Sequence, residues 1–203
     1  MTALFAKGLA FGFVLAATVG PMWVLCFRRT VAHGALGGFV SGMGIAVADG
    51  LYGAVAAFGL TVVSGFLLQH GFVIGLTGAV FLVYLGITTL TARPELETKN
   101  ELQASLARAF LSTLGLTLAN PPTILAFAAI FAGLGLASGQ SYAAAAVVTL
   151  GVFLGSSAWW VILSALAGRF RAYVNTRFGR AVNLVSGLTI LGFALWQIAA
   201  LLG

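Results

Sequence analysis

The chain of 203 residues is 61% hydrophobic and only 7% charged, whereas a soluble domain carries about 25% charged residues. This composition excludes a water-soluble fold. Long apolar stretches recur along the whole sequence, and no polar segment is large enough for a second folded unit. We therefore predict a single all-α integral membrane domain over residues 1–203. The lone cysteine, Cys26, cannot supply a dithiol pair for redox chemistry.

Six segments reach the length of about 20 apolar residues that a helix needs to cross a bilayer. They are residues 4–27, 36–60, 72–91, 109–136, 142–167 and 181–202. The beginning of the first segment resembles a signal peptide. Its hydrophobicity continues past Pro21, however, so we interpret it as a retained helix. A re-entrant segment would reduce the number of spans to five.

The net charge of +6 arises from the loops and does not indicate a nucleic-acid partner. Nine of the ten basic residues lie in three alternate loops, and by the positive-inside rule these loops are cytoplasmic. Both termini should then lie outside. Lys7 is the one basic residue that departs from the positive-inside pattern. The nine residues are Arg28, Arg29, Arg93, Lys99, Arg108, Arg169, Arg171, Arg177 and Arg180.

Each predicted half contains three helices, so the two halves must cross the membrane in opposite directions. The first half is residues 1–92, the cytoplasmic linker is 93–108 and the second half is 109–203. Helix breakers stand at matching places, at Pro21 in the first span and at Pro121 in the fourth. Corresponding interruptions in two inverted halves are typical of a midplane binding site in transporters, which predicts three-plus-three inverted repeats.

Proline inside a helix lacks an amide and clashes with the carbonyl four residues back, so Pro21 should free the carbonyl of Ala17. Pro121 and Pro122 should likewise free those of Thr117 and Leu118. Free carbonyls at membrane depth need protein, water or a ligand, and they suit a cation or an ammonium group. Asn120 is a good N-cap type, and the half-helix after it would offer amides to a carboxylate. The alternative is that these prolines only kink packed helices.

Asp49 is the only acid within a predicted span, and an ionised carboxylate there costs about 3 kcal/mol or more. Its neighbours at helical spacing are small, so its side chain should point inward, where Tyr52 could share a hydrogen bond with it. The alternative is a structural acid.

Small residues recur at every fourth position of the second span, from Gly34 to Ala54. They favour close packing, either inside the monomer or across a homodimer. Trp159 and Trp160 are interpreted as interfacial or core residues more readily than as substrate contacts. Histidine, cysteine and methionine do not cluster, so we predict no metal site and no cofactor.

These residues resemble the LysE-type amino-acid exporters, the lysine and homoserine/threonine exporter group. The resemblance covers nearly the whole chain and is carried by the following motifs: Gly20-Pro21 through Arg28, Gly34-Ala-Leu-Gly-Gly, Gly42-Met-Gly-Ile-Ala-Val-Ala-Asp49, Gly59-Leu60, Tyr84-Leu-Gly86, Asn120-Pro121, Trp160 and Asn183-Leu-Val-Ser-Gly187. It implies a multi-pass protein of the bacterial inner membrane that exports amino acids, coupled to the proton gradient. It also places Pro21, Asp49, Asn120 and Pro121 at the family's signature positions.

The sequence departs from the family pattern at two positions. Met22 stands where an acid commonly follows Gly-Pro, and Pro122 stands where a basic residue commonly follows Asn-Pro. Both departures remove charge near the predicted site, which disfavours a lysine- or arginine-type substrate.

We therefore predict a secondary transporter, not an enzyme, whose partners are an amino acid, protons and the lipid bilayer. The predicted substrate or coupling site comprises Asp49, Asn120, Pro21, Pro121, Gly20, Ala17, Thr117 and Tyr52. The alternatives are an inorganic-ion exporter, which would ordinarily need several ligands in the spans, and a membrane scaffold that transports nothing. An intramembrane enzyme is weaker, because no mid-span histidine could pair with a serine.

The charge pattern predicts that residues 100 and 203 lie on opposite sides of the membrane, with residue 203 outside. Single cysteines introduced at these positions should react differently with an impermeant thiol reagent in intact cells. Labelling of both positions from the same side would contradict the predicted topology.

Overall fold

The computed structural model describes residues 1–57, 69–91, 99–120, 123, 126–127, 142–170 and 176–202. Within these ranges the chain forms helices and turns without a strand, which confirms the all-α prediction for this part of the protein. The helices are α1 (Thr2–Ala17), α2 (Pro21–Ala57), α3 (Gly71–Thr91), α4 (Lys99–Leu118), α5 (Tyr142–Phe170) and α6 (Thr176–Leu202).

Among the described residues, four stretches of helix are long and apolar enough to cross a membrane: Pro21–Ala57, Gly71–Thr91, Tyr142–Arg169 and Arg180–Leu202. Two further apolar stretches, Thr2–Ala17 and Ser105–Leu118, are shorter. The first and fourth predicted segments contain no full span among the described residues: α1 ends at Ala17 and α4 at Leu118, and residues 128–136 of the fourth segment lie outside the described residues. The structure also starts α4 at Lys99, inside the predicted linker.

The first predicted span is interrupted at residues 18–20. Thr18 has extended backbone angles (φ −64°, ψ 125°), and its amide donates a hydrogen bond to the carbonyl of Leu15. Helical structure resumes at Pro21. Proline suits the first position of a helix because its φ is already helical and its missing amide would have no partner there.

The helix α2 consists of two arms that meet at Gly34, which has φ 83° and ψ 178°. This conformation is open to glycine and strained for other residues. A Cβ atom on Gly38 would lie 2.8 Å from the Cβ of Thr30, although eight residues of straight helix would separate them by about 12 Å. The chain therefore turns back at Gly34, and Thr30 and Gly38 on its two sides pack against each other.

This turn corrects the prediction that Arg28 and Arg29 lie in a loop. Both residues belong to the helical arm before Gly34. The change of direction needs one glycine with positive φ, so almost no loop remains between the two arms.

The helix α5 packs against both α1 and α2. Gly8 and Gly12 of α1 face the backbone of α5, and Gly151 and Gly155 of α5 face the backbone of α1. A Cβ atom on Gly8 would lie 2.5 Å from a backbone oxygen of α5, and one on Gly151 would lie 2.6 Å from a backbone oxygen of α1. Paired glycines four residues apart let two membrane helices approach at backbone distance.

The small-residue stripe of α2 packs inside the monomer. Gly42 lies against the ring of Trp160, and a Cβ atom on Gly50 would lie 3.4 Å from the side chain of Phe153, both on α5. Close helix packing is the interpretation that the sequence favoured for this stripe, and here it needs no second copy of the chain. The helices α3 and α6 form a second packed pair, in which Gly86 and Gly187 face leucines of the opposite helix.

The contact between α1 and α5 leads to a prediction about stability. Gly12→Ala places a methyl group against the backbone of Val152, and overpacking of this kind costs about 1–3 kcal/mol. Gly192→Ala is the matched control, because no described residue comes within 4 Å of its Cβ position and alanine favours helix. Thermal unfolding in detergent should show a lower midpoint for Gly12→Ala and an unchanged or higher midpoint for Gly192→Ala. Equal midpoints would disprove the backbone contact.

Candidate functional site

A cavity of about 410 Å³ opens beside the interruption between α1 and α2. Its wall also includes residues from the second arm of α2, the end of α4, α5 and α6. Five of the eight predicted site residues line it: Gly20, Pro21, Asp49, Thr117 and Asn120.

The other three predicted residues have different positions. Ala17 is the last residue of α1, between two residues that do line the cavity, Ala16 and Thr18. Tyr52 is buried one helical turn after Asp49 and is not among the lining residues described. Pro121 lies outside the described residues.

Asp49 is 2% exposed and belongs to a chain of hydrogen bonds with α5. The hydroxyl of Ser156 donates to Asp49 Oδ2 at 2.7 Å. The indole Nε1 of Trp160 donates in turn to the hydroxyl of Ser156 at 3.2 Å. Hydrogen bonds to a carboxylate are stronger than those between neutral groups, so this chain fixes the side chain of Asp49 on the wall of the cavity.

Tyr52 does not have the partner that the sequence suggested. Its hydroxyl donates to the carbonyl of Leu118 at 2.6 Å, and no bond to Asp49 is formed. Leu118 is the last residue of α4, and the final carbonyls of a helix have no partner within that helix. Tyr52 therefore satisfies one of the two carbonyls that the prolines after Asn120 were expected to free.

The end of α4 is completed by a turn. The amide of Asn120 donates to the carbonyl of Thr117 at 3.2 Å, and the amide of Thr123 donates to the carbonyl of Asn120 at 3.0 Å. The side-chain amide of Asn120 donates to the hydroxyl of Thr123 at 2.9 Å, which differs from the predicted N-cap bond, in which Asn120 would accept. Asn120 thus holds the turn and still faces the cavity.

Thr117 is 2% exposed, and its hydroxyl has no hydrogen-bond partner among the described residues. A buried hydroxyl without a partner costs about 1–3 kcal/mol. Because Thr117 lines the cavity, a ligand in the cavity could receive its hydrogen bond.

Two contributors to this site were not predicted from the sequence. Ser156 was not singled out, because its importance depends on which face of α5 meets Asp49. Gln197 lines the cavity from α6, and its side-chain amide donates to the carbonyl of Gly75 on α3 at 2.8 Å. A polar side chain inside an apolar span is the signal that could have identified both.

Trp160 belongs both to the packed core and to the wall of the cavity. It is 1% exposed and belongs to the core, as one of the two favoured interpretations held. The same residue lines the cavity and donates a hydrogen bond to Ser156, so one side chain contributes both to packing and to the site.

Adjacent serines on α5 provide a matched test of this geometry. Ser156 bonds to Asp49, whereas Ser157 donates to the carbonyl of Phe153 in its own helix. Ser156→Ala leaves a buried carboxyl group without this donor, so we expect a loss of about 1–3 kcal/mol in unfolding free energy. Ser157→Ala should change stability by less than about 0.5 kcal/mol. Thermal unfolding in detergent compares the two, and equal losses would show that the bond to Asp49 contributes nothing.

Comparison with known proteins agrees with the resemblance seen in the sequence. Residues 13–199 match the model of the family described as "LysE type translocator". The chain is 25% identical over 203 residues to a Bacillus subtilis (strain 168) protein named "Putative amino acid efflux protein YcgF", with 95% of this chain and 94% of that protein covered. No solved structure gives a significant match. Since the family model matches most of the chain, the protein belongs to the LysE type translocator family.

Proposed function

We propose that this protein is a secondary transporter that exports an amino acid or a close derivative across the bacterial inner membrane in exchange for protons. The observation that carries the proposal is the buried carboxyl group of Asp49 on the wall of a 410 Å³ cavity. A carboxylate at membrane depth is costly and usually serves a partner, a cavity or a transport pathway. The α-ammonium group of an amino acid is a cation that one carboxylate can pair.

The opposite end of an amino acid also has complements in the cavity. Thr117 presents a hydroxyl without a partner among the described residues, and Asn120 presents an amide at the end of α4. Both can hydrogen-bond to a substrate carboxylate. The cavity volume falls within the range of small-molecule sites, about 300–1,000 Å³.

The rest of the wall favours a substrate with an uncharged side chain. Trp23, Trp160 and Phe193 supply apolar surface. Asp49 is the one carboxylate among the described lining residues, and pairing it with the α-ammonium leaves none for a second cation. This agrees with Met22 on the same wall, where the family commonly has an acid.

The same single carboxylate argues against the inorganic-ion alternative. A divalent cation such as calcium takes six to eight oxygen ligands, whereas one carboxylate suffices for an ammonium group that also donates hydrogen bonds. Membership of a translocator family and the name of the relative, which refers to amino acid efflux, support transport over a scaffold without transport.

We further propose that residues 1–92 and 109–203 are inverted repeats that move against each other. The strongest helix contacts support this, because exchanging α1, α2 and α3 with α4, α5 and α6 converts the contact of α1 with α5 into that of α4 with α2. The contacts of α2 with α5 and of α3 with α6 convert into themselves. The contact of α2 with α6 is an exception, since α5 and α3 make no comparable contact among the described residues. Such repeats permit alternating access around a fixed central site, with both termini outside.

Proton exchange follows from the chemistry of one carboxyl group in two environments. A carboxyl group in a dry site retains its proton, whereas a substrate ammonium beside it favours the ionised form. Substrate would bind ionised Asp49 from the cytoplasm and leave outside as a proton replaces it. The transporter, with Asp49 protonated and neutral, would then return to its inward-facing state.

The test is pH-gradient-driven amino-acid flux in proteoliposomes. Asp49→Asn should reduce that flux to background, because asparagine keeps the shape of the side chain but cannot exchange a proton. Glu97→Gln is the matched control, since it removes one acid outside the predicted spans, and it should keep wild-type flux.

Membrane insertion and detergent-solution behaviour of Asp49→Asn should match those of the wild type, so that lost flux reports on chemistry. Gradient-driven flux at the wild-type rate in Asp49→Asn would assign Asp49 a structural function only. Absence of flux for any amino acid in the wild-type protein would reject amino-acid export itself.

A further inference from the structure

A second cavity, of about 250 Å³, lies between the turn of α2 and the first half of α4. Its wall contains Arg28, Arg29 and His33 from α2 and Arg108 from α4. We call it the arginine pocket. No carboxylate is found among the lining residues that the structure describes, and the proposed transport reaction does not use this pocket.

The two arginines of α2 are held by neutral oxygen atoms. Arg29 donates to the carbonyl of Ala109 at 2.9 Å, to the hydroxyl of Ser112 at 2.8 Å and to the hydroxyl of Ser41 at 3.3 Å. Arg28 donates through Nε to Asn183 Oδ1 at 2.9 Å. These bonds fix the positions of both guanidinium groups, but none of the four acceptors carries a negative charge.

The guanidinium groups of Arg28 and Arg29, which are held only by neutral acceptors, make the wall of this small cavity positive. Removing charges from water is costly, and hydrogen bonds to neutral acceptors compensate only part of that cost. An anion in the cavity would lower the remaining electrostatic energy. Guanidinium groups suit phosphate in particular, because their planar forks can donate two parallel hydrogen bonds to its oxygens.

The depth of the arginine pocket indicates where such an anion comes from. Gly37 lines the pocket and Asp49 lines the central cavity, both on the second arm of α2. Twelve residues of helix separate them by about 18 Å along the axis. Half of the hydrocarbon core is only about 15 Å thick, so if Asp49 lies near the midplane, the pocket lies at the level of the lipid headgroups.

The charge pattern predicts that this end of the bundle lies on the cytoplasmic side, where anionic headgroups meet basic pockets between transmembrane helices. We propose that the arginine pocket binds the phosphate group of an anionic phospholipid and thereby links α2 to α4. The lipid would act as a structural ligand between the two halves, at a site separate from that of the transported substrate.

The experiment measures lipid binding to the purified, delipidated full-length protein by native mass spectrometry, with phosphatidylglycerol and phosphatidylcholine in parallel. Arg108→Gln is the main variant, because Arg108 is an exposed residue on the pocket wall. Arg180→Gln is the matched control, an exposed arginine at the start of α6 and outside the pocket. Arg28→Gln is the second variant, and it spares the three bonds of Arg29.

We expect the wild-type protein to prefer phosphatidylglycerol. Arg108→Gln and Arg28→Gln should each weaken that binding about tenfold, the effect of losing one charge-assisted hydrogen bond. Arg180→Gln should bind as the wild type does. Equal affinity for the two lipids, or equal affinity in wild type and both pocket variants, would overturn the proposal.

A thermal-shift arm with inorganic phosphate distinguishes the source of the anion. Stabilisation by phosphatidylglycerol in the wild type and in Arg180→Gln, weakened in Arg108→Gln, supports the lipid. Stabilisation by inorganic phosphate alone, with no effect of phosphatidylglycerol, would overturn the lipid assignment and identify a site for a soluble anion.

Discussion

The backbone contact of α5 with α1, and its close packing against α2, are the constraint on which the rest of the structure depends. A hydroxyl can reach a carboxylate on a neighbouring helix only if the helix axes are close, and glycines on α1, α2 and α5 make them close. The bond from Ser156 to Asp49 follows from this proximity. So does the position of Trp160, which fits against Gly42 and turns its indole nitrogen toward Ser156. In this bundle the glycine packing therefore determines the hydrogen bonds of Ser156 with Asp49 and Trp160.

Backbone groups that leave their helices inside an apolar environment must find other partners. At the end of α4, Tyr52 and Asn120 bond to the carbonyls of Leu118 and Thr117. At the end of α1, the amide of Thr18 bonds to the carbonyl of Leu15. The central cavity lies beside both helix ends. Two helix ends therefore border the cavity, and the carbonyls of Leu15, Thr117 and Leu118 have partners within the protein.

Much of the architecture could be predicted from the sequence, because the membrane imposes length, polarity and charge patterns on each segment separately. Asp49 was identified as the only acid within a span, and Pro21 as a breaker within an apolar run. Both depend on local sequence alone, and both residues line the cavity. The ends of α1 and α4 were not predicted, since hydropathy continues past Ala17 and Leu118 while the two helices end there.

The missed features depend on the rotation and register of one helix against another. Ser156 and Tyr52 acquire their partners only when α5 and α4 take their places beside α2. Arg28 and Arg29 read in sequence as loop residues that set topology. In the structure the turn at Gly34 brings Arg29 beside Ser41, twelve residues later. A pattern along one segment carries no information about such a distant partner.

The bond between Tyr52 and Leu118 has a mechanical consequence. Tyr52 lies one turn from Asp49 on α2 and holds the end of α4, next to Thr117. The turn of α2 that carries Asp49 is therefore connected to the end of α4 by one hydrogen bond. If α4 slides along α2, either the hydrogen bond between Tyr52 and Leu118 breaks or the part of α2 that contains Asp49 moves with α4. Movement of the end of α4 and proton or ligand binding at Asp49 are then coupled, and the coupling free energy is the same in both directions.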